Sequence, residues 1–364
     1  MYKTGYVTGF IPKTPKPNFI SPTKLISMDR ININDIAKKA GVSKATVSHV
    51  INNTRFVEED TRQRVAKIIE ETGFQPSSIA RSLKTKSTQT IGVIVSDITN
   101  SFFGEILRGI EDVLHSMNYS IVICNTDEIL EREDQYINIL LRQRVDGIIA
   151  AATSDRWEAL EKARRQHIPV VLLDRCYEGA DFPFVGVKNA KGAYLGTCHL
   201  IEDGYREIGI LSGFQRLSTM QERLAGFRLA LNEHHIQIPD EWIVPSPLSM
   251  EAGREAAHKI LSLPHRPRAL FLSNNFLSLG TLFALNDLKL RCPEDIAIVG
   301  FDDHSWAAVA SSPLTVVSQP NRNLGQEAAK LLLEQINGQD VGNRQIELEC
   351  NLLIRASCCP THHL

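Results

Sequence analysis

The chain has 364 residues, 43% hydrophobic and 23% charged, enough for two or three compact units. No run approaches the ~20 consecutive apolar residues of a membrane span, and the first residues lack the apolar core of an export signal, so the expectation is a cytoplasmic protein with no membrane partner. The net charge of −2 conceals a division, because residues 1–90 hold 15 Lys+Arg against 7 Asp+Glu whereas the remainder holds 25 against 35. A basic end suits phosphate neutralisation, and an acidic body stays off a polyanion. The seven cysteines are odd in number and scattered, which points to reduced thiols rather than a disulfide framework.

Residues 1–30 set Pro12, Pro15, Pro17 and Pro22 among Lys, Thr and Asn with no apolar period. They read as a disordered arm, or as an extension upstream of a start at Met28. Residues 31–76 then carry three helical patterns. In the first, Ile33, Ile36, Ala37 and Ala40 form one apolar face, with Asn34 placed to cap. Gly41 can adopt the positive φ that leaves a helix, Val42 plugs the corner, and Ser43 can accept an orphan amide of the next helix at Thr46. That second helix runs from Lys44 to about Asn52, with Val47, Val50 and Ile51 inward and Lys44, Ala45, Thr46, Ser48, His49 and Asn52 outward. So many side-chain donors around so small an apolar face suit the major groove of DNA, where bases offer acceptors and thymine methyls. A small three-helix bundle with a polar surface would show the same pattern. The third helix spans Glu58 to Thr72, with Val65, Ile68 and Ile69 apolar and acidic residues at its positive end; Gly73 stops it and Phe74 completes the core.

Residues 77–89 read as a short serine-capped segment and a linker. Ser77 to Lys84 is too short to be a stable helix alone, so it is expected to fold only when bound.

Here the sequence resembles a known family. The run from Ile33 through Asp35-Ile36-Ala37-Lys38-Lys39-Ala40-Gly41-Val42-Ser43-Lys44-Ala45-Thr46-Val47-Ser48-His49-Val50-Ile51-Asn52 resembles the headpiece of the lactose/galactose repressor family, and Ala80-Arg81-Ser82-Leu83 its hinge helix. Thr46 to Asn52 and Arg55-Phe56-Val57 are similar to the purine and ribose repressor branch, and the likeness extends over about residues 31–355. The resemblance implies that Lys44, Ala45 and His49 read bases, that Thr46 and Ser48 hold phosphates, and that Asn52, Arg55 and Ser82 belong to the same DNA-binding set. Leu83 takes the position that wedges into the minor groove at the operator centre, where an apolar side chain forfeits no hydrogen bond. Two hinges side by side imply a homodimer on palindromic double-stranded operator DNA.

Beyond residue 90, short apolar runs alternate with helical patterns: 91–95, 121–124, 147–151, 170–173, 208–211, 269–272 and 296–299. Runs of this kind imply parallel doubly wound sheets covered on both faces. The helix from Phe102 to Met117 illustrates the intervals, with Phe103, Ile106, Ile110, Val113 and Met117 inward. These runs imply an α/β body over 90–364, and the resemblance implies that it is two-lobed and periplasmic-binding-protein-like, following an all-α helix-turn-helix headpiece and hinge helix. By the resemblance, the first lobe takes about 90–188 plus 318–348 and the second about 189–317 plus 349–364.

Ligands of doubly wound sheets collect beyond strand C-termini, and two lobes close on them. At those ends stand Asp97, Asn100, Phe102, Phe103, Asp174, Arg175, Thr219, Arg223, Asn274, Asn275, Asp302 and Asp303. Carboxylates can accept from adjacent sugar hydroxyls, a guanidinium can donate, and a phenyl ring can cover an apolar sugar face or a base. Each charged residue could equally cap a helix or pair across the lobes. The resemblance matches Phe102, Phe103, Thr219, Arg223, Asn274 and Asp302 to effector-holding positions; Asp174 and Arg175 join the candidate set from position alone. Two departures turn the reading from a purine toward a sugar or related polyol: Asn275 replaces an aspartate of many relatives, and Leu217 stands where the purine-responsive relative has an arginine.

No nucleophile elbow, Walker loop, zincin helix or dinucleotide glycine motif is present, so no catalytic residue and no cofactor are assigned. Cys198-His199 falls inside a helix expected from Ala190 to Glu202 and reads as core. The terminal Cys358, Cys359, His362 and His363 are assigned no metal, because a free tail lacks outer support for one. Two alternatives stay open: a family regulator answering to a protein co-regulator, and a sugar-binding protein without a DNA role, which would lack the basic headpiece.

Overall fold

The computed structural model describes residues 31–74 and 87–358, apart from 152, 154–156, 177–178 and 215. The arm at 1–30, the hinge with Ser82 and Leu83, and the residues from Cys359 onward lie outside that set. The chain divides into a unit ending at Lys84 and a unit beginning at Thr85.

Three helices build the first unit: α1 (Ile33–Ala40), α2 (Lys44–Asn52) and α3 (Glu59–Thr72). Its core is Ile36, Ala37, Ala40, Val47 and Val65, closed by Val42, Val50, Ile51, Ile68, Ile69 and Phe74. The cap of α1 is Asn32 and not Asn34. Asn32 is extended and its side chain accepts from the Asn34 amide, while the Asp35 carboxylate accepts from the Asn32 amide. This reciprocal box starts the helix one residue before Asn34. Gly41 leaves α1 at φ 66°, and Ser43 Oγ accepts from Thr46 N at 3.1 Å.

The second unit holds two six-stranded sheets. One consists of β1 (Thr90–Val95), β2 (Ser120–Asn125), β3 (Gly147–Ala150), β4 (Val170–Leu173), β5 (Phe184–Val187) and β11 (Gln345–Leu348), in the order β11-β5-β4-β3-β1-β2 and parallel throughout. The other consists of β6 (Ile208–Ser212), β7 (Ile243–Pro245), β8 (Ala269–Leu272), β9 (Ala297–Phe301), β10 (Thr315–Ser318) and β12 (Asn351–Leu353). Its order is β12-β10-β9-β8-β6-β7, and the edge strand β12 is antiparallel to β10. The chain passes between the sheets three times: after β5, after β10 and between β11 and β12.

Helices α4 (Ser101–Ser116), α5 (Leu130–Gln143), α6 (Glu158–Arg165) and α11 (Asn321–Ile336) cover the first sheet. Helices α7 (Asn189–Glu202), α8 (Ser218–Glu233), α9 (Met250–Leu261) and α10 (Asn275–Leu288) cover the second. The α4–α11 crossing is close because glycines face backbone from both sides. A Cβ on Gly109 would lie 2.0 Å from the Arg322 carbonyl oxygen, and one on Gly325 2.1 Å from that of Ile106. Along α4 the buried residues include Phe103, Ile106, Ile110 and Leu114, but Met117 lies past the helix end and is 57% exposed, contrary to the inward position its spacing suggested. Likewise β2, expected as a buried run, is an edge strand with Ile123 45% exposed. No helix among the described residues is long and apolar enough to cross a membrane.

Candidate functional site

The outward face of α2 is held by short-range contacts. Lys44, Ala45, Asn52 and Arg55 are exposed, and Thr46, Ser48 and His49 are half-buried. His49 Nδ1 lies 2.8 Å from Thr54 Oγ1, which fixes the ring and leaves Nε2 as its other polar atom. Asn52 Nδ2 donates to Ser48 O at 2.8 Å, and Thr46 Oγ1 pairs with Ser43 Oγ at 2.9 Å. Among the described residues Lys44 and Arg55 make no ion pair, so both cations face solvent. Phe56, next to Arg55, is 92% exposed and received no role from the sequence.

The second site lies at the C-terminal ends of the strands, between the two sheets of the body. Its lining includes all eight candidate effector residues: Phe102, Phe103, Asp174, Arg175, Thr219, Arg223, Asn274 and Asp302. The free space within the cleft is about 70 Å³. At its floor Arg223, from α8, donates through Nε to Asn189 Oδ1 (2.8 Å) and through Nη1 to the Ser273 carbonyl (2.7 Å). Its guanidinium stands 3.6 Å from the centroid of Phe301, and Nη1 lies 3.9 Å from Asp302 Oδ2. A cation so buried is tolerable because hydrogen bonds, a ring face and a carboxylate replace its water.

Asp302 follows β9 and Asp174 follows β4, each in left-handed backbone, with φ of 77° and 65°. An L-residue resists that conformation, and the cleft retains it at both strand ends. Asp302 accepts from Gln319 Nε2. Burial pushes the Asp174 carboxyl above its ordinary range, against the opposing pull of Arg175 and Arg223. Arg175 donates to both oxygens of Glu128, at 2.8 and 2.9 Å, so its charge is largely balanced inside the protein.

Several candidates also carry structural duties. Asn274 Oδ1 caps α10 by accepting from Leu277 N at 2.9 Å, which leaves its amide nitrogen for the cleft. Phe102 and Phe103 meet edge to face, 5.0 Å apart. Asp303, also singled out at a strand end, is not in the lining: Arg355 grips it with two nitrogens, at 2.8 and 2.9 Å. Leu217 is buried and lies outside the lining. The sequence missed Ser96, Glu128 and Gln319, which also line the cleft. Gln319 follows β10, a strand of four residues that the periodicity did not reveal, and its Oε1 is buried without a protein partner among the described residues.

Side chains also bridge the cleft. Asn275 Nδ2 donates to Asn100 Oδ1 at 3.1 Å, and Ser101 Oγ bonds His304 Nδ1. Asn100 also caps α4, so the bridge acts on the helix that begins at the cleft.

Comparison with known proteins matches these two sites to two family models. Residues 32–77 match that of bacterial regulatory proteins, lacI family, and residues 88–356 match that of periplasmic binding proteins and the sugar binding domain of LacI family. The HTH-type transcriptional repressor PurR of Vibrio vulnificus is 39% identical over 89% of this chain and 97% of its own. Among solved structures, the lac repressor dimer bound to operator and the anti-inducer ONPF is similar at a TM-score of 0.82, with 26% identity over 91% of this chain and all of that one. A LacI family transcriptional regulator from Enterococcus faecium with bound ribose is similar at a TM-score of 0.68, with 30% identity over 74% of this chain and 99% of that one.

Proposed function

Because the chain belongs to the LacI family of bacterial regulatory proteins, we propose that it is a cytoplasmic repressor whose cleft takes a sugar or related polyol and whose α2 reads the operator. It is a DNA-binding transcription regulator and not an enzyme, and its family binds operator DNA and small-molecule effectors as dimers. The observation that carries the ligand reading is the convergence of four carboxylates, two guanidinium groups, several amides and three phenyl rings on one cleft. Adjacent hydroxyls can donate to Asp174 and Asp302, accept from Arg223 and Asn274, and set an apolar ring face against Phe102. Leu217 favours this reading over a purine, because a buried apolar side chain outside the lining brings no donor to a base. The similarity to PurR argues for a purine by overall identity, whereas the side chains at the cleft speak for hydroxyls.

In the DNA site, Lys44, Ala45 and His49 are the base readers, and Thr46, Ser48, Asn52 and Arg55 contact or position the phosphate backbone. Ser82 and Leu83 complete the operator contacts from the hinge. Ligand closure of the lobes is coupled to operator affinity, and a coupling of ~1–3 kcal/mol would change that affinity about 5- to 150-fold.

A panel of pentoses, hexoses, polyols and nucleobases, titrated by calorimetry and repeated with operator bound, tests the ligand class. Heat and an altered operator affinity with one of the polyols is the expected result. A response to nucleobases alone would replace the sugar by a purine, and silence across the panel with binding to a partner protein would replace the small molecule altogether.

A further inference from the structure

The sequence offers two separate Cys/His features, one inside α7 and one at the C-terminus, and the structure brings a member of each together. His199 and Asp203 lie four residues apart at the C-terminal end of α7, on one face. Against them, from the end of the described chain, packs Cys358. His199 Nε2 is 3.1 Å from Cys358 Sγ and 3.6 Å from Asp203 Oδ2, and the three donor atoms all lie within 4.8 Å of one another. A tetrahedral zinc site with metal–sulfur bonds of ~2.3 Å and metal–nitrogen or –oxygen bonds of ~2.0 Å sets its ligand atoms roughly 3.3–3.6 Å apart. Small side-chain rotations bring the three atoms to that spacing.

We propose that His199, Asp203 and Cys358 form a binding site for a divalent cation of the zinc class. Thiolate with imidazole selects zinc over the hard cations magnesium and calcium, and the single carboxylate completes a set of three protein ligands. The carbonyl pole of α7 points toward the same place and favours positive charge. Binding takes the proton from the Cys358 thiol and releases it to solvent, so the S–H that now donates to Thr315 Oγ1 at 3.1 Å is exchanged for a sulfur–metal bond. No oxidant or further reactant is needed. The site lies on the second lobe, remote in role from the effector cleft, none of whose lining it shares.

The full chain, freed of metal by chelation, is titrated with zinc in competition with a chromophoric chelator, and separately with cobalt to read its thiolate charge-transfer band. One zinc per chain is expected. Cys358→Ser should abolish the cobalt–thiolate band, and His199→Gln should weaken zinc binding at least ~10-fold, the lower end of what even outer-shell changes cost. Cys358 is fully buried, so Asp203→Asn at the partly exposed rim gives a variant that leaves the core intact, and it should weaken zinc in the same sense. A combined Cys359→Ser, His362→Gln, His363→Gln variant should retain the site. Failure of the parent chain to take up zinc overturns the proposal. So does loss of all binding in that combined variant together with undiminished binding in His199→Gln and Asp203→Asn, because the metal would then belong to the terminal residues alone.

Discussion

The two proposed recognition surfaces hold their polar groups in opposite ways. On α2, His49, Asn52 and Thr46 bond to Thr54, Ser48 and Ser43, partners no more than five residues away. In the cleft, Arg223 bonds residues 34 and 50 positions distant, and Arg175 one 47 positions distant. A side chain on the helix surface can change without disturbing the core that carries it. One in the cleft belongs to the packing of its lobe, so changing it alters recognition and stability together.

That contrast can be broken most decisively at Arg223. Arg223→Ala strands Asp302 in the interior and orphans the Asn189 and Ser273 acceptors, so unfolding should become easier by about 3–5 kcal/mol, with loss of the ligand response. Denaturant melts alongside operator titration measure both; an unchanged melting profile would mean that cleft groups are as independent as surface ones. The counterpart is Lys44→Ala, expected to cost about 1–3 kcal/mol of operator affinity at particular half-site bases. Its melting profile should stay within ±0.5 kcal/mol of the parent, as for exposed substitutions generally. A uniform loss across all sequences would reassign Lys44 from base to phosphate.

The smallest effect, and the one that sharpens the contrast, is the pH response of Asp174. Its folded carboxyl is held above the unfolded value, so the folded state retains a proton that the unfolded chain has released. The associated stability is complete below the unfolded pKa of ~3.9 and is lost as pH rises through the raised value. Asp174→Asn removes that dependence. Relative to the parent, the variant should therefore gain ground as pH rises across this window, by no more than ~1.4 kcal/mol per pH unit. Parallel stability curves for the two proteins would show that Asp174 does not titrate as its burial demands.

Legibility followed sequence distance. The headpiece could be read closely because its caps, turn and apolar face fall within 43 consecutive residues, Asn32 to Phe74, although the cap of α1 was misplaced and α3 begins at Glu59 rather than Glu58. At α1, Asn32 and Asn34 offer the same side chain two positions apart, and the choice is made by Asp35, whose carboxylate reaches only the Asn32 amide. In the body, β1, β3, β4, β6, β8 and β9 were visible as apolar runs, whereas the buried β5 and β10 were not. The edge strands β11 and β12 alternate in exposure over three or four residues, too few to establish a period. Cleft residues that follow readable strands, such as Asp174 and Asp302, were found, while Gln319 was missed because β10 before it was not recognised. Spacing alone could not separate Asp302 from Asp303, since only the left-handed turn sends one to the cleft and the other to Arg355.

The late return of the chain to the first sheet governs how the protein can be made. Helix α11, whose Leu324, Ala328, Leu331 and Leu332 fill the first lobe, and strand β11 at that lobe's edge are translated after the whole of β6 to β10. At ribosomal speeds of ~5–20 residues per second, roughly 10–50 s separate the emergence of α4 from that of the segment that must cover it. Through that interval Ile106 and Ile110 lack their partner surface, so the first lobe cannot mature ahead of the second as a contiguous domain would. Nascent chains halted before α11 should be clients of chaperones, and the two lobes should reach their native state in one concerted, late event.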